Sequence, residues 1–171
     1  MQNLDLESIT GFFEQGGPVF TVVLLTSFFL WVMILERYWY FQFVFPAKLQ
    51  ETVKEWKNRN DHSSWYALRI REGLLADIAI NLQRSLIPIQ AMTAILPLLG
   101  LLGTVTGMIA IFDVMQVFST GNTRGMASGI SRALLPTIAG LVTALAGLYF
   151  SSDLEKQIRT RAEQAKDLLQ F

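Results

Sequence analysis

The feature that most constrains this chain is an uncharged apolar segment, residues 97–108, that carries small residues along one side. It reads PLLGLLGTVTGM and contains three glycines. One half of the helix, counted at about 100° per residue, holds the small residues Pro97, Gly100, Gly103, Thr104, Gly107 and Ala110. Small residues let helix backbones approach closely in a membrane, while leucine on the other half can face lipid. The pattern therefore predicts a membrane helix with close neighbours.

A second stretch, residues 132–150, divides in the same way. Its small or polar half consists of Ala133, Pro136, Thr137, Ala139, Gly140, Thr143, Ala144, Ala146 and Gly147. Two successive helices with this division suggest packing around something polar, such as a pore or a partner. Ordinary packing of one helix against another is the alternative, because small-residue spacings are common in membrane proteins.

The composition indicates a membrane protein. Hydrophobic residues make up 51% of the 171 residues, and the charges are confined to blocks. Pro18–Leu35 is 18 residues long and uncharged, which is enough for a helix to cross a bilayer. We predict a single all-α domain over residues 1–171, with its parts in the following order. Transmembrane helices occupy about 18–38, 87–113 and 130–150, cytoplasmic helices about 41–86, an external loop about 114–129, and a cytoplasmic tail 151–171.

The distribution of basic residues predicts the orientation. None of the 14 lysines and arginines precedes the first apolar run, eight lie between Arg37 and Arg84, and four lie between Lys156 and Lys166. The positive-inside rule then places the N-terminus outside and the C-terminus in the cytoplasm. Residues 1–16 contain no lysine or arginine, which favours a retained helix over a cleaved signal peptide.

The chain contains few residues that could form a catalytic site or a metal site. His62 is the single histidine, lies in a predicted turn at 58–64, and has no histidine or paired carboxylates at metal-binding or catalytic spacing. The chain has no cysteine, which excludes disulfides and thiolate ligands. The glycines of 97–108 lie inside an apolar span without a following lysine, unlike a phosphate-binding loop. We predict no catalytic residue, no metal, no cofactor and no nucleic-acid partner.

Segment 97–108 and the later GISRALLPTIAGLVTALA, residues 129–146, resemble the two signature helices of the MotA/TolQ/ExbB proton-channel family. The predicted topology is similar as well: a first helix with an outside N-terminus, a cytoplasmic excursion, and a hairpin of two helices leading to a cytoplasmic tail. The compact cytoplasmic region and the short tail resemble ExbB and TolQ more than the larger flagellar stator proteins. The outside is then the periplasm of a bacterium, and the membrane is its inner membrane.

The resemblance implies a subunit of a motor driven by the proton motive force. ExbB-like subunits, typically five, would surround the single transmembrane helices of two ExbD-like subunits, and a TonB-like protein would transmit the movement to outer-membrane receptors. Proton passage would use an aspartate of the partner. The resemblance implies that Thr104 and Thr137 face this aspartate, and we expect Arg132 and Thr143 to line the same path. The small halves of the two helices predict the helix-packing residues Gly100, Gly103, Gly107, Gly140, Ala144 and Gly147. The alternatives are a TolQ-like envelope-integrity subunit, a flagellar-stator-like subunit, or a non-conducting helical scaffold.

Arg132 departs from the family pattern, since ExbB and TolQ usually carry glutamate in the sequence Gly-Ile-x-Glu-Ala-Leu. Arginine does not titrate near pH 7, so a proton-relay role is not expected at this position. In one interpretation Arg132 faces the pore and favours the charged form of the partner's aspartate. In the other it reaches the outer interface or pairs with Asp113. Pro136, which precedes Thr137, also departs from the pattern and leaves a carbonyl one turn earlier unpaired.

Overall fold

The computed structural model describes residues 2–59, 61, 64–118 and 123–169, and every regular element in these residues is a helix. The elements are α1 (Gln2–Trp39), a π-helical turn (Tyr40–Val44), α2 (Phe45–Lys57), α3 (Trp65–Gln83), α4 (Leu86–Phe118) and α5 (Thr123–Leu168). Three stretches, Gly17–Lys57, Trp65–Gln116 and Ala127–Leu168, are long and apolar enough to cross a membrane. This confirms the predicted all-α fold and three long apolar helices suited to crossing a membrane, whereas the orientation of the termini stays a prediction. His62 lies outside the described residues.

The loop predicted at about 114–129 is wrong at both of its ends. Helix α4 continues to Phe118, α5 begins at Thr123, and residues 119–122 lie outside the described residues. The glycine, serine and threonine content of the stretch favours a loop locally. Helix formation is cooperative, however, and extending an existing helix adds one hydrogen bond for each residue fixed. The long apolar helices on either side therefore propagate into the stretch.

The chain divides into two compact units. The first consists of Met1–Leu30 and Ala91–Gly147, and the second of Trp31–Gln90 and Leu148–Phe171. Both stretches with a small-residue half lie mainly in the first unit, while most of the charged residues of the chain lie in the second.

Helix α1 contains a kink at Gly17. The backbone there has φ 72° and ψ −179°, a conformation that residues with a Cβ rarely adopt. Pro18 follows, and a proline disfavours the helical conformation in the residue before it. Proline is well suited to the first turn of a helix because it needs no hydrogen bond there. The Gly17-Pro18 pair thus ends one helical segment and starts the apolar one.

In the first unit, glycines bring the backbones of α4 and α5 into close contact. A Cβ added at Gly140 would lie 2.6 Å from the backbone oxygen of Leu96 and 3.3 Å from the Cα of Gly100. A Cβ added at Gly100 would lie 2.9 Å from the backbone oxygen of Pro136. Because these neighbours are backbone atoms, they cannot rotate away, so the two helices could not approach this closely with larger residues.

The bulky halves of the same two helices are exposed. On α4 the exposed residues include Leu98, Leu101, Leu102, Val105, Ile109 and Phe112, and on α5 they include Leu134, Ile138, Leu141, Val142 and Leu145. A contiguous apolar surface of this kind is suited to lipid or to another apolar surface rather than to water.

The second unit has its own core. Trp56, Ala67 and Leu169 form its buried cluster, with half-buried aliphatic residues of α2 and α3 packed against them. Along α5, Leu154 and Ile158 are also buried, as the helical spacing of the tail predicts. Leu68 of α3 is 47% exposed and lies outside this core. Its neighbour Ala67 is the residue that faces the core, and one step along a helix turns a side chain by about 100°.

We expect Gly140→Ala to lower the stability of the folded chain by about 1–3 kcal/mol, because the new methyl group would overlap the Leu96 carbonyl. Gly73 in α3 provides a matched control, since a Cβ there would meet nothing within 4 Å. Gly73→Ala should raise stability by up to about 1 kcal/mol, because alanine favours the helix over glycine. Thermal unfolding in detergent, followed by circular dichroism, measures both variants. Equal melting temperatures for the two would contradict the close contact of α4 and α5.

Candidate functional site

A threonine of α5 forms a hydrogen bond to the backbone of α4. The Thr137 hydroxyl donates to the carbonyl of Gly100 at 2.6 Å, and the Thr137 side chain is half-buried. A Cβ added at Gly100 would lie 2.9 Å from the Cα of Thr137, so this approach requires glycine. The hydrogen bond and the glycine contact therefore depend on one another.

Thr104 follows Gly100 by one turn of α4. Its hydroxyl donates to the carbonyl of Leu101 in the same helix at 2.7 Å, and its side chain is half-buried. A hydroxyl has one hydrogen to donate and two acceptor lone pairs. Since Thr104 and Thr137 both donate to backbone carbonyls, their oxygens keep acceptor capacity at the edge of the packed surface.

Thr143 joins α5 to α1 within the first unit. Its hydroxyl donates to the carbonyl of Ala139 at 2.9 Å and accepts a hydrogen bond from the Ser27 hydroxyl at 3.2 Å. Ser27 was not among the residues named from the sequence. A hydroxyl in each of two apolar helices is a signal for such a bond, but the sequence does not say which two hydroxyls meet.

The remaining small residues also lie between helices of the first unit. A Cβ added at Gly103 would overlap the Pro136 ring, one at Gly107 would lie 2.7 Å from Ala133 Cβ, and one at Gly147 would lie 2.7 Å from Thr93 Oγ1. Ala144 is 8% exposed. Within one chain these residues pack one helix against another. The expectation that the small halves also border a central space stays a prediction.

Arg132 and Asp113 are both exposed and do not form the expected ion pair with each other. Ion pairs among the described side chains join Arg69 to Glu72 and Arg159 to Glu155. The physical reason is that an exposed pair gains at most about 1 kcal/mol and must immobilise two long side chains. Arg132 instead lines a cavity of the first unit whose described lining residues do not include Asp113.

The second unit contains a buried arginine at the end of α1. Arg37 is 3% exposed and donates to the carbonyl of Asn81 at 2.8 Å and to that of Leu82, near the C-terminal end of α3. Its guanidinium lies 4.7 Å from the ring centroid of Tyr40 and 4.6 Å from that of Phe41. The C-terminal end of a helix carries partial negative charge, and aromatic faces attract cations. These contacts offset part of the cost of burying the charge, since Arg37 Nε is buried without a hydrogen-bond partner among the described residues.

A second arginine, Arg161 of α5, binds the π-helical turn. It donates to the carbonyl of Phe41 at 2.6 Å and lies over the rings of Phe41 and Phe45. A π-helical bond from this carbonyl would need an N–H at residue 46, but residue 46 is Pro46, which has none. The carbonyl is therefore left for the guanidinium.

Tyr38 and Asp153 form a further link in the second unit. The Tyr38 hydroxyl donates to Asp153 Oδ2 at 2.6 Å, and the Gln157 amide donates to the same oxygen at 2.7 Å. Asp153 lies beyond the apolar segment of α5, and these hydrogen bonds, that of Tyr38 first, hold its pKa below the usual value. Sequence reasoning missed the contacts of Arg37, Arg161 and Asp153. The sequence signal that could have indicated the contacts of Arg37 and Tyr38 is an arginine followed by a tyrosine at the end of an apolar run.

Comparison with known proteins places this geometry in context. Residues 43–167 match the family described as the MotA/TolQ/ExbB proton channel family. A Helicobacter pylori protein named as ExbB-like biopolymer transport protein 1 is 23% identical over 170 residues, which cover 90% of each chain. A Synechocystis protein named as ExbB-like biopolymer transport protein 3 is 45% identical over 65 residues, which cover 37% of this chain and 31% of the relative. In that second match, the chain spans about a third of the relative's length.

We expect Arg37→Gln to destabilise the folded chain by about 1.5–3 kcal/mol, because it removes charge-assisted hydrogen bonds to the part-buried carbonyl of Asn81 and the buried carbonyl of Leu82. Arg37→Lys should recover only part of this loss, since an ammonium cannot reproduce the planar donor fork. Arg69→Gln is the control: its ion pair with Glu72 is exposed and should contribute less than about 1 kcal/mol. Tryptophan fluorescence during chemical unfolding in detergent measures all three. Equal effects of Arg37→Gln and Arg69→Gln would contradict the structural role of Arg37.

Proposed function

The chain belongs to the MotA/TolQ/ExbB proton channel family, and from this we propose that it is an ExbB-like subunit of a motor driven by the proton motive force. The motor lies in the bacterial inner membrane, with the N-terminus of this chain in the periplasm. Together with an ExbD-like partner it energises outer-membrane transport through a TonB-like protein. The chain itself is a subunit of this motor and not an enzyme.

The observation that carries this proposal is the pair of half-buried threonines, Thr104 and Thr137, beside the glycine contact of α4 and α5. Both lie in helices that are apolar enough to cross a membrane. Polar groups are costly in lipid, and there they commonly face a partner or a polar path. In the proposed assembly, about five copies surround two single-helix partners, and these two hydroxyls face the partner's aspartate.

The hydrogen bonds of the two threonines give this arrangement a dependence on protonation. Their hydrogens are donated to carbonyls of Leu101 and Gly100, so their oxygens offer acceptor lone pairs to a third group. A protonated aspartate can donate to such an oxygen, whereas an ionised aspartate has no hydrogen to donate. The pair of helices α4 and α5 thus binds the partner's carboxyl group while that group is protonated. It releases the group once the carboxyl has lost its proton.

A non-conducting helical scaffold is the second candidate. It is favoured by the finding that the hydroxyls of Thr104, Thr137 and Thr143 all have hydrogen-bond acceptors within the chain. A scaffold would need no partner with an acidic transmembrane helix.

Purification of the tagged chain from native membranes, with mass spectrometry of co-purified proteins, separates the two candidates. The motor requires a partner with one transmembrane helix that carries an aspartate. Repeated recovery of the intact oligomer without such a partner would exclude the motor and support the non-conducting scaffold. If the partner is present, deletion of the chain distinguishes the motors: loss of nutrient uptake supports the ExbB-like role, and a leaking envelope supports the TolQ-like one.

We expect Thr104→Val and Thr137→Val together to lower proton flux by about tenfold while the partner still co-purifies, since two hydrogen bonds of about 0.7 kcal/mol each correspond to this factor. Serine at both positions keeps the hydroxyls and should preserve most of the flux. Thr26→Val is a matched control, because Thr26 also donates to a carbonyl of its own helix, at 2.8 Å. A pH-sensitive dye inside liposomes that contain the complex measures the flux. Undiminished proton flux in the double valine variant would show that the two threonines contribute only to packing.

A further inference from the structure

The first unit contains a cavity of about 420 Å³ that the proposed function does not use. Its described walls are residues Gly17–Val19 of α1, small residues of α4 together with Thr106 and Ile111, and Gly129, Arg132 and Ala133 of α5. The volume falls within the range of ligand-binding pockets. Arg132 is the charged residue among these described walls.

The cavity exists because the surrounding residues have little side-chain volume. Gly107 and Ala133 hold α4 and α5 together, since a Cβ added at Gly107 would lie 2.7 Å from Ala133 Cβ. Gly17, where α1 is kinked, contributes no side chain, and even a Cβ added there would meet nothing within 4 Å. The result is an apolar groove between three helices with one guanidinium at its wall.

The position of Arg132 along α5 corresponds to the boundary of the membrane. Twenty uncharged residues, 133–152, separate it from Asp153. At a rise of about 1.5 Å per residue these residues span about 30 Å, the thickness of the hydrocarbon core. Pro18, which also lines the cavity, begins the 18-residue uncharged run that ends before Glu36. The guanidinium therefore lies at the depth of lipid headgroups, and the groove extends along apolar helix surface.

Arg132 also has no carboxylate partner among the described side chains. Asp113, the other charged residue whose side chain is described in the first unit, is not among the cavity's described walls. A guanidinium presents a planar set of donors that matches a phosphate, and it keeps its charge at every physiological pH. The groove thus combines one cation that can bind a phosphate group with an adjacent apolar surface.

We propose that this cavity binds one anionic phospholipid, with its phosphodiester on Arg132 and an acyl chain along the small residues of α4. A net negative headgroup compensates the single positive charge, whereas the ammonium of a zwitterionic ethanolamine lipid is repelled by it. The lipid fills the space that glycines and alanines leave open. This inference does not rest on the proposed function, because lipid binding requires neither the partner nor proton flux.

Native mass spectrometry of the purified oligomer tests the proposal, with dioleoyl phosphatidylglycerol and dioleoyl phosphatidylethanolamine added at equal concentrations. The unmodified chain should retain phosphatidylglycerol preferentially. Arg132→Gln should weaken that retention by about tenfold. Arg69→Gln removes one positive charge from an exposed ion pair of the second unit and is the matched control, so its retention should not change.

A second variant tests the groove separately from the charge. Ala110 is exposed in the single chain and lines the cavity, so Ala110→Phe fills the groove while Arg132 stays in place. It should reduce phosphatidylglycerol retention without dissociating the oligomer. Equal retention of the two lipids by the unmodified chain, or unchanged retention in either variant, would overturn the proposal. So would a photo-crosslinker at position 110 that captures a protein helix in place of lipid.

Discussion

Close backbone contact between α4 and α5 is the constraint on which the other features of the first unit depend. Apolar side chains gain little by leaving lipid for one another, so membrane helices associate through close packing and hydrogen bonds. Gly140 allows the backbone of α5 to approach the Leu96 carbonyl, and the same approach lets Thr137 reach the Gly100 carbonyl. A side chain at either glycine would separate the helices and remove that hydrogen bond. The orientation of the threonine is thus a consequence of the packing.

The arginines of the chain show how surroundings decide the role of a charge. Arg37 and Arg161 meet backbone carbonyls and aromatic faces, so each is compensated by partial charges inside the second unit. Such contacts join each guanidinium to backbone carbonyls and rings at fixed positions. Arg132 is exposed and lines a cavity with small apolar walls. Its charge is therefore available to a ligand, whereas the other two are part of the fold.

Features that depend on local periodicity could be predicted from the sequence, and features that depend on which surfaces meet could not. The three apolar helices and the buried stripe of the tail follow from spacing along one helix. The small halves of α4 and α5 could be recognised, but periodicity does not reveal whether such a half faces a pore or the next helix. The Thr143–Ser27 hydrogen bond joins residues 116 positions apart, and no local pattern specifies it. The predicted loop bounds were wrong because the local preference of residues 114–129 for a loop is weaker than the tendency of the two long helices to extend cooperatively.

The packing of one chain also bears on the chemistry that we propose for it. If Thr104 and Thr137 had free hydrogens, their hydroxyls could rotate to donate to an ionised carboxylate and would bind both protonation states. In this structure the hydrogens are directed to carbonyls of Leu101 and Gly100, so binding of an ionised carboxylate would require breaking one of those bonds. A helix pair held together by glycines thereby acts as a fixed acceptor surface, and the change that drives movement must come from the proton on the partner.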